Sequence, residues 1–374
     1  MTSATRWAWA DIDLGAITHN VAVLREIAAP AAVWAVVKAD GYGHGALEVG
    51  SAAMLAGAGG LCVALAAEGV ALRRSGISAP ILVLSEQPPE CAEAIVEHHL
   101  TPTVSTSSGI EALAAASNAH ATEPLDVHLK IDTGMHRVGV AAADAARLCR
   151  QVDDHPSLRL VGVFTHLAVA DELAHPETAV QLQRFDDALA ALRPFDVVHA
   201  ANSAGALAHP SARHSMVRTG IALYGISPGP DLDDVAHRLR PALSLKARVS
   251  FVKRLNAGDR VSYGLRHAMA TDANVATVPI GYADGVRRNL SGLGTPALIG
   301  GRRREIVGTI TMDQLLVDCG DDEVAIGDEV VFIGRQGDSE IRAEEWASLL
   351  GTIGYEIVCG IGARVPRHYV RTQR

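Results

Sequence analysis

The sequence predicts an α/β protein, namely a (β/α)8 TIM barrel followed by a predominantly β-strand C-terminal domain. Up to about residue 237, short apolar runs alternate with stretches of helical character, whereas beyond Arg240 the apolar runs are separated by turn residues alone. Continuously apolar strands that alternate with helices are typical of a parallel sheet covered by helices, and eight such units favour a closed barrel. The length of 374 residues and the 48% hydrophobic content are sufficient for two domains.

The barrel strands are predicted at eight apolar runs in the first part of the chain. These runs are residues 33–37, 61–65, 81–84, 101–105, 127–131, 160–164, 197–200 and 216–218. Between them, residues 141–152 and 177–192 carry apolar side chains at helical spacing and charges on the opposite face, which predicts amphipathic helices.

The second part of the chain predicts antiparallel strands. Its apolar runs are residues 243–255, 274–280, 305–317 and 329–333, with turn signals at 256–259, 291–294 and 325–328. Pro228 begins a linker rich in turn residues. We therefore assign residues 1–238 to the barrel and 239–374 to the β domain.

Composition excludes several classes of function. A net charge of −9 argues against broad binding to nucleic acid or to an anionic membrane. The five cysteines are scattered and form no CxxC pair, so we expect neither a disulfide framework nor a metal site, and a reducing compartment fits. No signal-peptide core and no run of transmembrane length is found, which predicts a cytoplasmic protein.

Lys38 is the most informative residue, because it ends an apolar run and precedes a glycine-rich turn. Residues 36–45 read VVKADGYGHG. A buried, unpaired ammonium tends to lose its proton, and a neutral amine is what a Schiff base with an aldehyde cofactor requires. The alternative is that the side chain extends out to solvent at the strand end.

The fifth predicted strand ends in HLKIDTGMHR, which places Lys130 between two apolar residues. One interpretation is a lysine paired with a barrel carboxylate such as Asp132. Arg137 follows a Gly-Met-His segment, where an arginine is a poor core residue, so it favours a functional role.

Other polar residues follow the sixth, seventh and eighth predicted strands. His166 follows the sixth and could equally be a satisfied core histidine, while Ser203 begins a helical stretch and could bind phosphate or only cap the helix. Arg218 stands in the eighth.

These motifs, in this order, resemble the pyridoxal-phosphate-dependent alanine racemases. The resemblance runs from DIDL at residues 11–14, through 37–45, to ARVPR at 363–367. It implies that Lys38 holds pyridoxal 5'-phosphate covalently and is one catalytic base, and that Lys130 is carbamylated. The implied cofactor-binding residues are Tyr42, Arg137, His166, Ser203, Arg218, Gly220, Ile221 and Tyr355, and the implied substrate-binding residues are Arg137, Tyr282, Met312 and Asp313.

The resemblance also implies the reaction. Tyr263 would be the second base and would reach the barrel of the partner subunit, so that a homodimer forms shared sites for L- and D-alanine. Arg218 would face the pyridine nitrogen, and because arginine keeps its proton, the ring would be a weak electron sink suited to simple reprotonation. The expected role is D-alanine supply for peptidoglycan; the sequence does not decide whether serine is also a substrate.

Two alternatives share parts of this architecture. One is a decarboxylase of basic amino acids, whose Glu-Pro-Gly-Arg segment and glycine-rich phosphate loop are missing here. The other is a non-catalytic pyridoxal-phosphate carrier, a class that lacks the β domain predicted beyond residue 239.

Overall fold

The computed structural model of the protein describes residues 6–372. The chain divides into two compact units. One is Ile17–Arg240, and the other joins the N-terminal segment that ends at Ala16 to Pro241–Arg374. No helix within the described residues is both long and apolar enough to cross a membrane.

The first unit contains a closed ring of parallel strands. Strand β1 (Ala8–Asp13) lies outside the ring. The eight ring strands are β2 (Ala32–Val36), β3 (Gly60–Val63), β4 (Ile81–Val83), β5 (Thr103–Val104), β6 (Leu125–Asp132), β8 (Leu158–Phe164), β9 (Val197–His199) and β10 (Met216–Thr219). The short strand β7 (Val140–Ala141) pairs with β6. The ring strands form the parallel sheets β10-β2-β3-β4 and β5-β6-β8-β9.

Hydrogen bonds join these two sheets at both ends. Leu82 bridges Thr101 in parallel register, which connects β4 to β5. The amide of Ser215 donates to the Val198 carbonyl at 3.1 Å, which connects β10 to β9. The ring therefore closes, and each of the eight runs predicted from the sequence overlaps one of its strands, which confirms the barrel.

Helices alternate with the barrel strands, as the sequence pattern predicts. They are α1 (Leu14–Ala28), α2 (Ala46–Leu55), α3 (Ala66–Arg74), α4 (Ala92–Glu97), α5 (Ser107–His120), α6 (Ala145–Asp153), α7 (Glu177–Ala190), α8 (Ser203–Ala208) and α9 (Asp233–Ala236). The apolar faces of α6 and α7 are buried, including Leu148, Val152 and Phe185. These two helices correspond to the predicted stretches 141–152 and 177–192.

The second unit is built mainly of antiparallel strands. They are β11 (Leu243–Arg248), β12 (Phe251–Leu255), β13 (Arg260–Val261), β14 (His267–Ala268), β15 (Ala273–Val278), β16 (Pro296–Ile299), β17 (Arg302–Val307), β18 (Leu315–Asp318), β19 (Glu329–Gln336), β20 (Ser339–Ile341) and β21 (Arg367–Val370). The long sheet has the order β12-β15-β18-β17-β16-β19-β11-β1-β21, and helices α10 (Ala343–Leu350) and α11 (Gly354–Cys359) precede β21.

The N-terminal segment corrects the proposed division of the chain. We assigned all of residues 1–238 to the barrel, but β1 pairs with β11 and β21, and residues through Ala16 group with the β unit. The physical reason is visible in the burial of β1, whose residues alternate between buried and half-buried. One buried face suits an antiparallel sheet, whereas barrel strands such as β3 are buried throughout.

Two predicted runs of the β unit are each two strands. Residues 243–255 divide into β11 and β12, and residues 305–317 divide into β17 and β18. The second break begins at Gly308, which has a φ of 72°. A strand cannot continue through this backbone conformation. The segment 308–314 between β17 and β18 carries Met312 and Asp313.

Candidate active site

The polar residues predicted at the strand ends gather at the carboxyl-terminal end of the barrel. Lys38 follows β2, Lys130 lies near the end of β6, and Arg218 lies in β10. Because the carboxyl ends of parallel strands meet at one rim, these side chains converge. Their charges interact: Arg218, Arg137 and Lys38 all contribute to lowering the pKa of Lys130.

Lys38 is attached to a turn of left-handed helix. Ala39, Asp40, Gly41 and Tyr42 have φ of 52°, 50°, 61° and 54°. The Gly41 amide donates to the Val37 carbonyl at 2.9 Å, as in one helical turn. Left-handed backbone costs roughly 1–2 kcal/mol for each residue other than glycine, and strain of this kind is found mostly at functional sites.

The left-handed turn brings Tyr42 to the segment after β10. A β-carbon on Gly220 would lie 2.4 Å from the Tyr42 hydroxyl, so only glycine allows this close approach. The Ser203 hydroxyl oxygen accepts hydrogen bonds from the amides of Gly220 at 2.9 Å and Ala222 at 3.3 Å. The Ile221 amide, in contrast, donates to no described residue. Tyr42, Ser203, Gly220 and Ile221 thus form one polar cluster.

Lys130 is buried and forms no ion pair with a carboxylate among residues 6–372. Its ammonium reaches the Leu84 carbonyl at 3.4 Å and lies 5.3 Å from the ring centre of Phe164. The proposed pairing with Asp132 is wrong: the Asp132 carboxylate accepts the amides of Gly134 and His136 and pairs with the His136 ring. Burial, followed by the neighbouring cations, lowers the pKa of Lys130 to about 8.

Arg218 is 3% exposed, and its hydrogen-bond partners in the described part of the chain are carbonyls and imidazoles. One terminal nitrogen donates to the carbonyls of Thr165 at 2.8 Å and Ala200 at 3.0 Å, and lies 3.3 Å from His166 Nδ1. The other terminal nitrogen bonds to His199 Nδ1. Burial lowers the pKa of Arg218 to about 10, so the group stays charged at neutral pH. Its Nε–H donates to no described residue.

Two histidines that the sequence analysis missed extend this network. His199 Nε2 lies 2.9 Å from His128 Nδ1, and the His199 ring stacks on Phe164 at 4.5 Å between centres. Burial and Arg218 hold the pKa of His199 well below its ordinary value, and burial lowers that of His128 to about 4. His128 precedes Lys130 by two residues, and that spacing places both on the same side of β6, which was the available signal.

His166 behaves as part of the same network and not as an isolated core residue. Its pKa lies well below the ordinary value because of burial first and Arg218 second. Since the Arg218 guanidinium can only donate, Nδ1 of His166 and of His199 must accept, which fixes both rings as neutral tautomers with the proton on Nε2.

Arg137 is exposed at the same rim and forms no hydrogen bond or ion pair with any described residue. Lys38, Lys130, Arg137 and Arg218 therefore form a cluster of cations, and Asp132 raises the pKa of Lys130 by less than any of the other three cations lowers it. Such a cluster attracts an anionic ligand.

Tyr263 belongs to the second unit and is 73% exposed. It lies in a short loop between β13 and β14, where Ser262, Gly264 and Leu265 have φ of 60°, 76° and 48°. The loop is fixed at its base, because the Thr309 hydroxyl donates to the Tyr263 carbonyl at 2.8 Å and the Ser262 hydroxyl donates to the Thr309 carbonyl at 2.5 Å. Because of this exposure, the Tyr263 side chain is not part of the core.

Three other predicted residues of the second unit lie together. The Tyr282 amide donates to the Thr311 carbonyl at 3.0 Å, and a β-carbon on Gly281 would lie 2.5 Å from the Met312 carbonyl oxygen. Asp313 pairs with Arg364 at 2.7 Å. The Met312 amide donates to no described residue, so it is available to a ligand. Tyr355 is half-buried on α11.

Arg364, which the sequence analysis did not single out, connects these segments. It also contacts the fully buried Asp284 carboxylate at 3.3 Å, and Arg6 contacts the same carboxylate at 2.5 Å. Arg364 lies in the ARVPR segment at 363–367, which carries part of the family resemblance, but its partners are distant in sequence.

Family models match the chain along most of its length. The alanine racemase N-terminal domain matches residues 12–228, and the alanine racemase C-terminal domain matches residues 242–369. An alanine racemase of Symbiobacterium thermophilum is 48% identical over 370 residues, which are 97% of each chain. An alanine racemase of Desulfovibrio desulfuricans is 42% identical over 377 residues, covering 99% of this chain and 100% of that protein.

Solved structures agree in fold. The alanine racemase of the D-cycloserine producer Streptomyces lavendulae superposes with a TM-score of 0.93 at 39% identity and covers 99% of both chains. That of E. faecalis gives 0.92 at 38% identity, covering 99% of this chain and 100% of that one. Matches to both domains over nearly the full length disfavour the decarboxylase and the carrier alternatives. The chain belongs to the alanine racemase family, whose members are isomerases that act on amino acids.

Proposed function

We propose that this protein interconverts L-alanine and D-alanine with pyridoxal 5'-phosphate held on Lys38. The observation that carries the proposal is the barrel-rim cluster of Lys38, Lys130, Arg137 and Arg218, in which the other three cations all lower the pKa of Lys130. A phosphorylated cofactor and an amino-acid carboxylate are the anions that would complete it.

The polar cluster beside Lys38 fits the cofactor's phosphate. Ser203 already accepts two amides, so its O–H is available as a donor, and the Ile221 amide and the Tyr42 hydroxyl lie in the same cluster. Gly220 keeps this space clear of a side chain. Tyr355 is the further phosphate contact that the family resemblance implies.

The other end of the cofactor would meet Arg218 and His166. When bound, the cofactor supplies an electron sink that acidifies the substrate Cα–H bond. Arg218 has its terminal nitrogens committed to backbone carbonyls and imidazoles, which leaves Nε–H to donate to an acceptor without giving up its proton. His166 is neutral and would pack against the ring. Arg218 would thereby keep the sink weak, which suits reprotonation at Cα.

Racemisation requires a proton donor and acceptor on each face of Cα. We assign Lys38 to one face and Tyr263 to the other. Tyr263 is 73% exposed on its loop together with Leu265, which is 55% exposed. Exposed apolar side chains on a fixed loop favour contact with another chain. We therefore propose a homodimer in which Tyr263 serves the barrel of the partner subunit.

The remaining residues are assigned to the substrate and to charge balance. The free amide of Met312, with Asp313 beside it, would bind the substrate carboxylate, and Tyr282 would line the entrance. Arg137 would contact both the cofactor and the substrate. Carbamylation of Lys130, in which its neutral amine adds to carbon dioxide and releases a proton, would place an anion among the cations; a pKa of about 8 favours the required neutral amine.

The proposed biological role is D-alanine supply for peptidoglycan, in the cytoplasm. The sulfur chemistry is compatible with a reducing compartment, because all five cysteines are free thiols. Cell fractionation with an antibody to the chain tests the location, and rescue of a D-alanine auxotroph tests the role.

The decisive experiment combines turnover with labelling. Purified protein is incubated with L-alanine, D-alanine and L-serine, and optical rotation is followed; we expect loss of rotation with both alanine enantiomers. In parallel, the protein is reduced with borohydride and its peptides are mapped. Reduction should leave the pyridoxyl group on Lys38. A label on another lysine, or no racemisation by a labelled protein, contradicts the proposal.

A further inference from the structure

Glu68 forms a contact that ordinary helix capping does not explain. It stands in the first turn of α3, where Oε2 accepts the amides of Ala64 at 2.8 Å and Leu65 at 3.1 Å. A glutamate at this position often caps its own helix in this way, with one oxygen. The other oxygen, Oε1, accepts the amide of Ala39 at 2.6 Å, and Ala39 is the residue directly after Lys38.

The Ala39 amide is the first donor of the left-handed turn. Gly41 and Gly43 donate within the turn, to the carbonyls of Val37 and Ala39, at 2.9 and 3.0 Å. The first amides of any helical turn lack such an acceptor in the turn itself and require one from outside. Glu68 supplies it, with a charged oxygen, which makes the bond stronger than one to a neutral group.

A second carboxylate, that of Asp40, holds the far end of the left-handed turn. The Asp40 carboxylate accepts the amide of Ala46 at 2.9 Å, which ties the turn to the start of α2. The residues that hold Glu68 are themselves fixed by Gln87, whose side-chain oxygen accepts the Ala66 amide at 2.9 Å and whose nitrogen donates to the Ala64 carbonyl at 3.1 Å. The segment that positions Glu68 is therefore itself held in place by hydrogen bonds to Gln87.

We propose that Glu68 is a positioning residue for the reaction. It holds the left-handed turn at Ala39 and so sets the direction in which Lys38 and Tyr42 leave the backbone. Glu68 itself does not reach substrate; it acts through the peptide that follows Lys38. The inference rests on the proposed function, since it assigns to Glu68 the task of aiming the base Lys38.

The test compares Glu68→Gln, Glu68→Ala and a matched control, Glu48→Gln. Glu48 lies in the first turn of the neighbouring helix α2, is half-buried, and forms no hydrogen bond or ion pair within residues 6–372. Glutamine keeps the shape of Glu68 but offers one acceptor oxygen, so it can serve Ala39 or the α3 capping amides, not both. Alanine removes both contacts.

For Glu68→Gln we expect kcat to fall roughly tenfold and for Glu68→Ala roughly a hundredfold, because small misplacements of a catalytic group are costly. The KM for alanine should change much less than kcat, and Glu48→Gln should match the unaltered protein. Amide hydrogen exchange should quicken in the peptide spanning residues 37–45 of both Glu68 variants. The absorption band of the protein-bound cofactor should also shift, which a general loss of stability would not produce.

The outcomes separate the inference from the proposed function. If the unaltered protein carries the borohydride label on Lys38 but the Glu68 variants keep full kcat, or exchange amides at residues 37–45 at the original rate, Glu68 does not position Lys38. If the unaltered protein carries no label on Lys38, the proposed function fails first. A fall in kcat with unchanged exchange at residues 37–45 and faster exchange only in α3 would make Glu68 a helix cap alone.

Discussion

Single residues at the barrel rim respond to burial in different ways. Arg218 remains charged in a buried site, and its neighbours compensate by becoming acceptors: two carbonyls and two neutral imidazoles. Lys130 lacks such acceptors, apart from a long contact to Leu84, and its pKa falls to about 8. Arginine and lysine therefore respond differently to the same burial.

Lys130→Met should change how stability depends on pH. The amine has a pKa near 10.5 when unfolded and about 8 when folded, so between pH 8 and 10.5 the unfolded chain binds more protons. The stability of the unaltered protein should rise with pH in this window by about 1 kcal/mol per unit at most, and Lys130→Met should lose that rise. Urea midpoints measured in bicarbonate-free buffer test this. Equal slopes for the two proteins would show that Lys130 titrates normally.

His128 provides the corresponding test in acid. Its pKa is about 4 when folded, against 6.5 when unfolded, so as pH falls through this window the unfolded chain gains a proton that the folded protein does not. As pH falls from 6.5 to 4, the free energy of unfolding should therefore decrease by about 1 kcal/mol per pH unit at most because of His128. His128→Asn should lessen the slope, whatever its effect on stability at pH 7. His120→Asn is the control, because that ring is exposed at a helix end; a slope reduced equally by both variants would contradict the assignment.

At the scale of elements, the segment after β2 differs most from expectation. The sequence predicted a glycine-rich turn after Lys38, and the structure has one, but residues 39–43 are left-handed and two of the five are glycine. Alanine and aspartate at such angles are strained, so contacts to Glu68 and from Asp40 must hold them. The turn directs Lys38 and Tyr42 to the barrel rim.

Ala39→Gly tests the strain of this turn. Glycine tolerates positive φ without a side-chain penalty, so the substitution should leave the free energy of unfolding unchanged or raise it by up to about 1 kcal/mol. The matched control is Ala71→Gly, at an exposed position within the right-handed helix α3, where glycine should lower stability by about 1 kcal/mol. Denaturant midpoints decide the question. A similar loss in both variants would mean that the turn is not left-handed in solution.

The whole molecule combines two units, each of which carries one of the two proposed bases. The barrel unit, Ile17–Arg240, carries Lys38, and the other unit carries Tyr263. The N-terminal strand β1 belongs to the second unit. The barrel unit is therefore inserted in sequence between β1 and the rest of the second unit. If Lys38 and Tyr263 act on the same substrate molecule, the way in which two chains assemble determines which chain supplies each residue.

Mixed dimers test whether the site is shared. Lys38→Ala and Tyr263→Phe should each lose roughly 10²–10⁴ in rate, as expected for a missing general base. After subunit exchange, half of the dimers should be mixed, each with one intact site, so activity should return to about a quarter of the unaltered value. Two Lys38→Ala chains carrying different affinity tags provide the control for exchange. Mixtures that remain inactive after proven exchange would contradict shared sites.

The barrel, the β-rich second domain and the identity of most candidate residues follow from local patterns in the sequence. Hydrophobic periodicity and turn residues are local features of the sequence. The eight apolar runs could therefore be recognised without knowing which strands lie beside each other in the fold. Lys38, Lys130 and Arg218 stood out for the same reason: each is a cation within or beside an apolar strand. Family membership followed from the order of the motifs and was confirmed by the matches to both domains.

Which of these groups meet depends on contacts between residues far apart in the chain. The contact of Glu68 with Ala39 spans 29 residues, that of His128 with His199 spans 71, and the pairing of β1 with β21 joins the two ends of the chain. None of these leaves a local pattern, because each depends on how strands are ordered around a closed sheet. The handedness of the turn after Lys38 has the same origin: left-handed backbone at Ala39 and Asp40 is unfavourable locally and persists because distant residues supply the hydrogen bonds that hold it.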